Sequence, residues 1–209
     1  MKILVLGATG ATGRLIVSQA LAKGHDVVAL VRSKAKAVDL AGAELIEGDA
    51  RNATALSRAI VDCDAVVSSL GTAMSPFREV TTLSTATRAF VGVMEAQNVR
   101  RLVCITGLGA GNSRGHGGLF FDRVFFPLML RKVYADKDRQ EDAIRSSVLD
   151  WTIVRPTVLN DKPARGRIRV LTDLSGVHGG MIARADVADF VVQQLTADSW
   201  LHKAPLITW

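Results

Sequence analysis

Gly7, Gly10 and Gly13 stand three residues apart, after the apolar run Ile3-Leu4-Val5-Leu6. Beyond them Leu15, Ile16, Ala20 and Leu21 recur at helical spacing. The chemistry this order permits is recognition of a phosphate. The first glycine allows a tight turn, and the second lets backbone approach a pyrophosphate. The third lets the helix pack close to the strand, with its N-terminus and partial positive charge facing the anion. The Gly-x-x-Gly-x-x-Gly spacing is not the Gly-x-Gly-x-x-Gly of the dinucleotide fingerprint, and glycines also mark ordinary turns. Placement directly after an N-terminal strand carries the reading. Gly7, Thr9, Gly10, Ala11, Thr12 and Gly13 form the first candidate cofactor-binding group.

A nicotinamide dinucleotide with a 2′-phosphate is expected at this turn. In NAD-binding versions of the arrangement an acid ends the second strand and bonds the ribose hydroxyls. Here Val27-Val28-Ala29-Leu30-Val31 ends in Arg32-Ser33-Lys34. A carboxylate would repel a 2′-phosphate, whereas arginine, a hydroxyl and lysine would bind it. NADP(H) is therefore the expected cofactor, with Arg32 and Ser33 as contacts and Arg14 in support; a solvated basic loop is the alternative. Asp49, followed by Ala50, ends the third strand, placed either to accept from the adenine amino group or to cap the next helix. Leu70, Gly71 and Thr72 follow Ser68-Ser69, a small-residue turn against which ribose and phosphates can lie.

Elements that would bring these strand ends together alternate along the chain. Strands are expected over 2–6, 27–31, 44–47, 65–69, 101–106, 151–154, 168–171 and 206–208. Helices are expected from the glycine turn to 23, then over 53–61, 81–97, most of 120–145 with a start or kink at Pro127, and 184–195. This order predicts an α/β, Rossmann-type, doubly wound parallel sheet, in one domain over 1–209. Ligands of such sheets bind at the carboxyl ends of the strands. The glycine-rich loop and helix over 107–145 are expected to form a short substrate-side lid.

Composition narrows the partners. The chain is 48% hydrophobic and 22% charged, as a globular domain should be. Its formal charge of +6 is scattered, and aromatics are only 5%, so a small anionic ligand is favoured over nucleic acid. No apolar run is long enough to span a bilayer, and Met1-Lys2 leads directly into the first strand, so a cytoplasmic location without membrane association is expected. Cys63 and Cys104 lie beside or within strands and read as core residues of a reducing compartment, with no metal site expected.

The sequence resembles the atypical short-chain dehydrogenase/reductases with the NmrA-like, NAD(P)H-binding fold, in the branch of the biliverdin-IXβ and flavin reductases. The resemblance runs nearly the whole chain. It rests on the glycine turn, Leu30-Val31-Arg32, Gly48-Asp49, Leu70-Gly71-Thr72, Asp150-Trp151-Thr152-Ile153-Val154-Arg155-Pro156 and Ala183-Arg184-Ala185-Asp186-Val187. It implies NADPH bound by Thr9, Gly10, Thr12, Gly13, Arg32, Asp49, Leu70 and Gly71, with Pro156 and Thr157 beside the nicotinamide. The sequence departs from the family twice. Gly107 stands where the flavin reductases carry a serine, and Tyr134 and Lys137 are three apart where the wider family spaces tyrosine and lysine by four.

Both side chains still fall on one helix face. Thr106, Tyr134 and Lys137 are the candidate catalytic residues, with Tyr134 either the acid or a residue packed on the core. Four of the seven phenylalanines lie within 118–130, as core helix residues or as an apolar lid over a planar substrate. His116 reads as a surface residue.

The expected activity is an NADPH-dependent reductase that passes hydride to a planar conjugated acceptor such as a flavin, bilin or quinone, in a monomer or weak dimer. A non-catalytic NADP(H) sensor of NmrA type is the alternative.

Overall fold

Ile3, Leu4, Val5 and Leu6 are fully buried, which requires a central strand covered on both faces. The computed structural model of the chain describes residues 1–73, 79–116 and 130–209 and supplies that cover. The strands are β1 (Lys2–Leu6), β2 (Asp26–Val31), β3 (Glu44–Glu47), β4 (Ala65–Ser68), β5 (Arg101–Ile105), β6 (Asp150–Pro156), β7 (Val158–Asn160), β8 (Arg169–Leu171), β9 (Met181–Ala183) and β10 (Leu206–Thr208). The helices are α1 (Ala11–Ala22), α2 (Ala53–Ala59), α3 (Thr82–Ala96), α4 (Arg131–Arg145) and α5 (Arg184–Gln193).

The main sheet runs β3-β2-β1-β4-β5-β6-β10-β8. It is parallel except for β8, which pairs antiparallel with β10 through Leu206↔Leu171 and Thr208↔Arg169. The strand order reverses between β1 and β4, whose register sets Leu6 against Ser68. Side chains alternate across β1. Ile3 and Val5 pack with Ile16, Val17, Val187 and Val191 of α1 and α5. Leu4 and Leu6 pack with Leu56, Phe90, Met94 and Ile144 of α2, α3 and α4. The pleat thus distributes one strand between two cores.

The expected elements over 1–116 and 145–209 form, within a few residues of their expected ends. The pair β7 and β9 was not expected. Neither run stands out from its loop in the sequence, and their mutual pairing, Val158↔Met181 to Asn160↔Ala183, makes them strands. The expected helix over 120–145 is seen as α4 from Arg131 onward. Pro127, the phenylalanine cluster and the middle third of the expected lid, 117–129, lie outside the described residues. Cys63 and Cys104 are both free and buried.

Candidate active site and cofactor cleft

Each of the three glycines has a distinct physical role. Gly7 has φ +81, and a Cβ on it would lie 2.6 Å from the Ser69 carbonyl oxygen. Only glycine permits both the turn and the close approach of β4. A Cβ on Gly13 would lie 2.1 Å from the Gly7 oxygen, so this glycine lets α1 pack against its own turn. Gly10 has extended backbone and caps α1 without a side-chain hydrogen bond. A Cβ there would meet the Gly7 oxygen alone, at 3.3 Å, and otherwise point into the cleft. The α1 N-terminus is therefore left open toward the cleft, as an approaching pyrophosphate requires.

The cleft is a cavity of about 410 Å³ at the carboxyl ends of the strands. Its wall holds Gly7, Thr9, Gly10, Arg32, Asp49, Ala50, Leu70 and Gly71 from the sequence-derived set. Ala11, Thr12 and Gly13 form the adjoining first turn of α1, and Thr72 follows Gly71 outside the wall. Thr82, Leu83 and Ala86 of α3 also line it. The sequence reading missed these three because they look like ordinary residues of an amphipathic helix start. A carboxylate from another helix organises that start. Asp136, fully buried on α4, accepts from the Leu83 amide at 2.8 Å, the Ser84 amide at 3.3 Å and the Ser84 hydroxyl at 2.5 Å.

Beside the cleft, Thr9, Arg32, Ser33 and Lys36 enclose a further cavity of about 290 Å³. Lys34, expected here, does not line this cavity, and Lys36, two residues on, does; the Lys34 backbone N–H donates to Glu47 at 3.3 Å. Arg14 is committed elsewhere. It donates through Nε to the Thr9 carbonyl at 3.0 Å and pairs with Asp39, so it braces the turn.

The two alternatives for Asp49 separate in the structure. Asn52 caps α2, accepting from the Ala55 amide at 3.1 Å, so Asp49 is not the cap. Asp49 faces the cleft and accepts from the Arg51 amide at 2.8 Å, its Nε at 3.0 Å and its Nη2 at 2.6 Å. The Arg51 hydrogen bonds hold its carboxyl down at about 2, so it is an anion at any physiological pH.

A smaller cavity of about 120 Å³ lies at the end of β6, lined by Leu108, Leu130, Tyr134, Pro156, Thr157, Val158 and Gly179. It brings Tyr134 together with Pro156 and Thr157. The Tyr134 hydroxyl donates to the Leu108 carbonyl at 2.7 Å. Burial pushes its pKa up to about 12. Lys137 donates to the Thr106 carbonyl and lies over the Tyr134 ring, 5.0 Å from its centroid. Burial pulls its pKa down to about 8.

Gly107 makes room for this arrangement. It has φ +142, and a Cβ there would lie 3.1 Å from Lys137 Nζ and 3.8 Å from the Tyr134 hydroxyl. The departure from the flavin reductase pattern is thus a space filled by the lysine. The Thr106 hydroxyl points to Glu141, at 2.8 Å, rather than into the cavity. His116 is tied to the loop before β9, its Nδ1 3.2 Å from the Val177 carbonyl. Among the described residues no group of three or more metal-ligating side chains gathers, and no helix is long and apolar enough to cross a membrane.

The family model described as NAD(P)H-binding matches residues 7–198. An uncharacterized sugar epimerase, YhfK of Bacillus subtilis, is 28% identical over 213 residues, covering 98% of this chain and 92% of the relative. Isoflavone reductase of Pisum sativum is 25% identical over 236 residues, covering 97% and 68%. Among solved structures, ChuY of Escherichia coli O157:H7, described as an anaerobillin reductase, superposes with a TM-score of 0.83 at 25% identity, covering 100% of this chain and 97% of that one. Matched over the glycine turn, the cleft and the strand ends that frame them, the chain belongs to the NAD(P)H-binding family, within the atypical short-chain dehydrogenase/reductases.

Proposed function

We propose that the protein is an NADPH-dependent reductase of planar, conjugated small molecules such as flavins, bilins or quinones. The observation that carries this reading is the apolar surface of Leu108, Leu130, Pro156 and Val158 beside Tyr134 at the end of β6, where a cavity of about 120 Å³ takes the reacting edge of a ring rather than a whole flavin or bilin. The glycine turn would hold the pyrophosphate, Asp49 the adenine, and Arg32, Ser33 and Lys36 the 2′-phosphate. Pro156 and Thr157 would flank the nicotinamide, whose hydride is the chemistry the cofactor supplies when bound. The chain itself positions the acceptor against an apolar wall and excludes water from that face.

Proton supply divides the acceptor classes. Tyr134 is protonated across the neutral range, and its hydroxyl is spent on the Leu108 carbonyl. Lys137 gives one of its three N–H donors to the Thr106 carbonyl and is not hydrogen-bonded to the Tyr134 hydroxyl in a relay. A simple ketone needs an acid as its alkoxide forms, whereas a conjugated ring spreads the charge and can take its proton from solvent. The second arrangement suits these residues. Likeness to a protein described as an anaerobillin reductase supports the same acceptor class.

The same committed hydroxyl and ammonium also favour a second reading, a non-catalytic NADP(H) sensor. NADPH oxidation measured against a panel of flavins, quinones, bilins and small carbonyls separates the two. Turnover confined to the planar acceptors is expected. Turnover of small carbonyls alone would overturn the acceptor class, and tight NADPH binding without turnover of any acceptor would select the sensor.

A further inference from the structure

Glu141 and Arg155 are 1% and 2% exposed, so both charges have left water. Such a burial is tolerated when the charges are paired and hydrogen-bonded, and here each guanidinium nitrogen and both carboxylate oxygens have a partner. Arg155 Nε donates to Glu141 Oε1 at 2.9 Å and Nη2 to Oε2 at 2.5 Å, while Nη1 donates to Asn112 Oδ1 at 2.5 Å. Glu141 Oε1 also accepts from the Thr106 hydroxyl, and Oε2 from Arg145 at 3.5 Å. The loop before α4 is fitted to the pair. A Cβ on Gly111 would lie 2.4 Å from Arg155 Nη2.

The pair's place in the fold gives it a task beyond packing. Tyr134, Lys137 and Glu141 stand at helical spacing on one face of α4. Glu141 fastens that face to the end of β5 through Thr106. It fastens it to β6 through Arg155, the residue before Pro156 and Thr157. The apolar face of a helix can slide by a fraction of an ångström with little loss, but a two-bond carboxylate–guanidinium fork fixes distance and angle together. Apolar residues of similar size would bury as well without that directional constraint.

We infer that Glu141 and Arg155 are positioning residues, which set the height of the Tyr134 and Lys137 face of α4 over the acceptor cavity at Pro156–Thr157. The consequence for catalysis rests on the reductase reading, but the placement of Tyr134 does not. Tyr134 is the chain's one tyrosine, so an isotope label on the tyrosine ζ carbon gives a single resonance that reports on it alone.

The test is the double variant Glu141→Leu/Arg155→Met, which removes both charges together and leaves neither unpaired. The expected result is a folded protein whose Tyr134 resonance moves. Its titration midpoint should fall from about 12 toward the ordinary value of about 10, as the hydroxyl loses its buried place. NADPH affinity should stay within about twofold, because the cleft is walled by other residues, while kcat falls about tenfold to a hundredfold through misplacement. An unmoved resonance and midpoint in the folded double variant would overturn the inference and leave the pair a packing device. If the double variant does not fold, Arg155→Lys decides. It keeps a cation against Glu141 but loses the fork, and an unchanged Tyr134 resonance there would equally overturn it. Failure of the acceptor panel would sink the reductase reading while leaving the spectroscopic result to stand.

Discussion

Lys137 donates an ammonium N–H to the Thr106 carbonyl and covers the ring of Tyr134, 5.0 Å from its centroid, while the tyrosine hydroxyl donates to the Leu108 carbonyl. Spacing the pair by three residues thus keeps the two side chains on one face but sends their polar ends to different carbonyls. The lysine does not draw the tyrosine's pKa down, and burial drives it up. Tyr134→Phe should therefore reduce turnover of a flavin or bilin less than tenfold, whereas loss of a true general acid costs about 10²–10⁴-fold. Steady-state rates of the two proteins on the acceptor the panel reveals, with Lys137→Ala alongside, provide the check. A loss in the larger range would make Tyr134 the proton donor.

Lys137 also leaves a signature in stability. Its folded pKa, about 8, lies below the ordinary 10.5. Below pH 8 both states are protonated and the cost of burying the charge is fully present. Between about 8 and 10.5 the unfolded chain binds more protons, so this group raises stability with pH, by up to about 1.4 kcal/mol per unit. Lys137→Met should accordingly be more stable than wild type at pH 7, with the gap narrowing above pH 8. Urea unfolding of both proteins from pH 7 to 9.5 tests this, and comparing the two cancels the thiols and Tyr134, which oppose the trend at higher pH. A constant gap would mean the lysine stays charged throughout.

Cofactor choice should follow Arg32. With Ser33 and Lys36 it lines the side cavity that a 2′-phosphate would enter. Arg32→Ala should weaken NADPH by about tenfold to a hundredfold, from loss of a charge-assisted contact of about 1.5–3 kcal/mol, and leave NADH nearly unchanged. Fluorescence titration of both cofactors into both proteins gives the four constants. Equal affinity of the wild type for NADH and NADPH would refute the phosphate assignment.

Gly10 and Gly13 should fail in different ways. Gly10→Val places its branch in the cleft on extended backbone, so the domain should fold and nucleotide binding disappear. Gly13→Ala would set a methyl 2.1 Å from the Gly7 oxygen, so it should cost stability before it costs binding. Circular dichroism melts beside NADPH titrations distinguish the two. Undiminished binding by a folded Gly10→Val protein would reduce the loop to a plain turn.

The sequence by itself determined the order of strands and helices apart from β7 and β9, the glycine turn and the strand ends at Arg32, Asp49 and Gly71, because each is local. Periodicity, turn stereochemistry and a strand's last residue are all written within a few positions. Only the tertiary structure removed the capping role from Asp49 and put its carboxylate on the wall of the cleft, which several strand ends build together. It alone moved the basic side pocket from Lys34 to Lys36, one face of a short turn being chosen by packing. It alone brought Asp136 to the start of α3 and Glu141 to Arg155, because buried carboxylates find their partners across elements, and no spacing along the chain records which helix will arrive opposite.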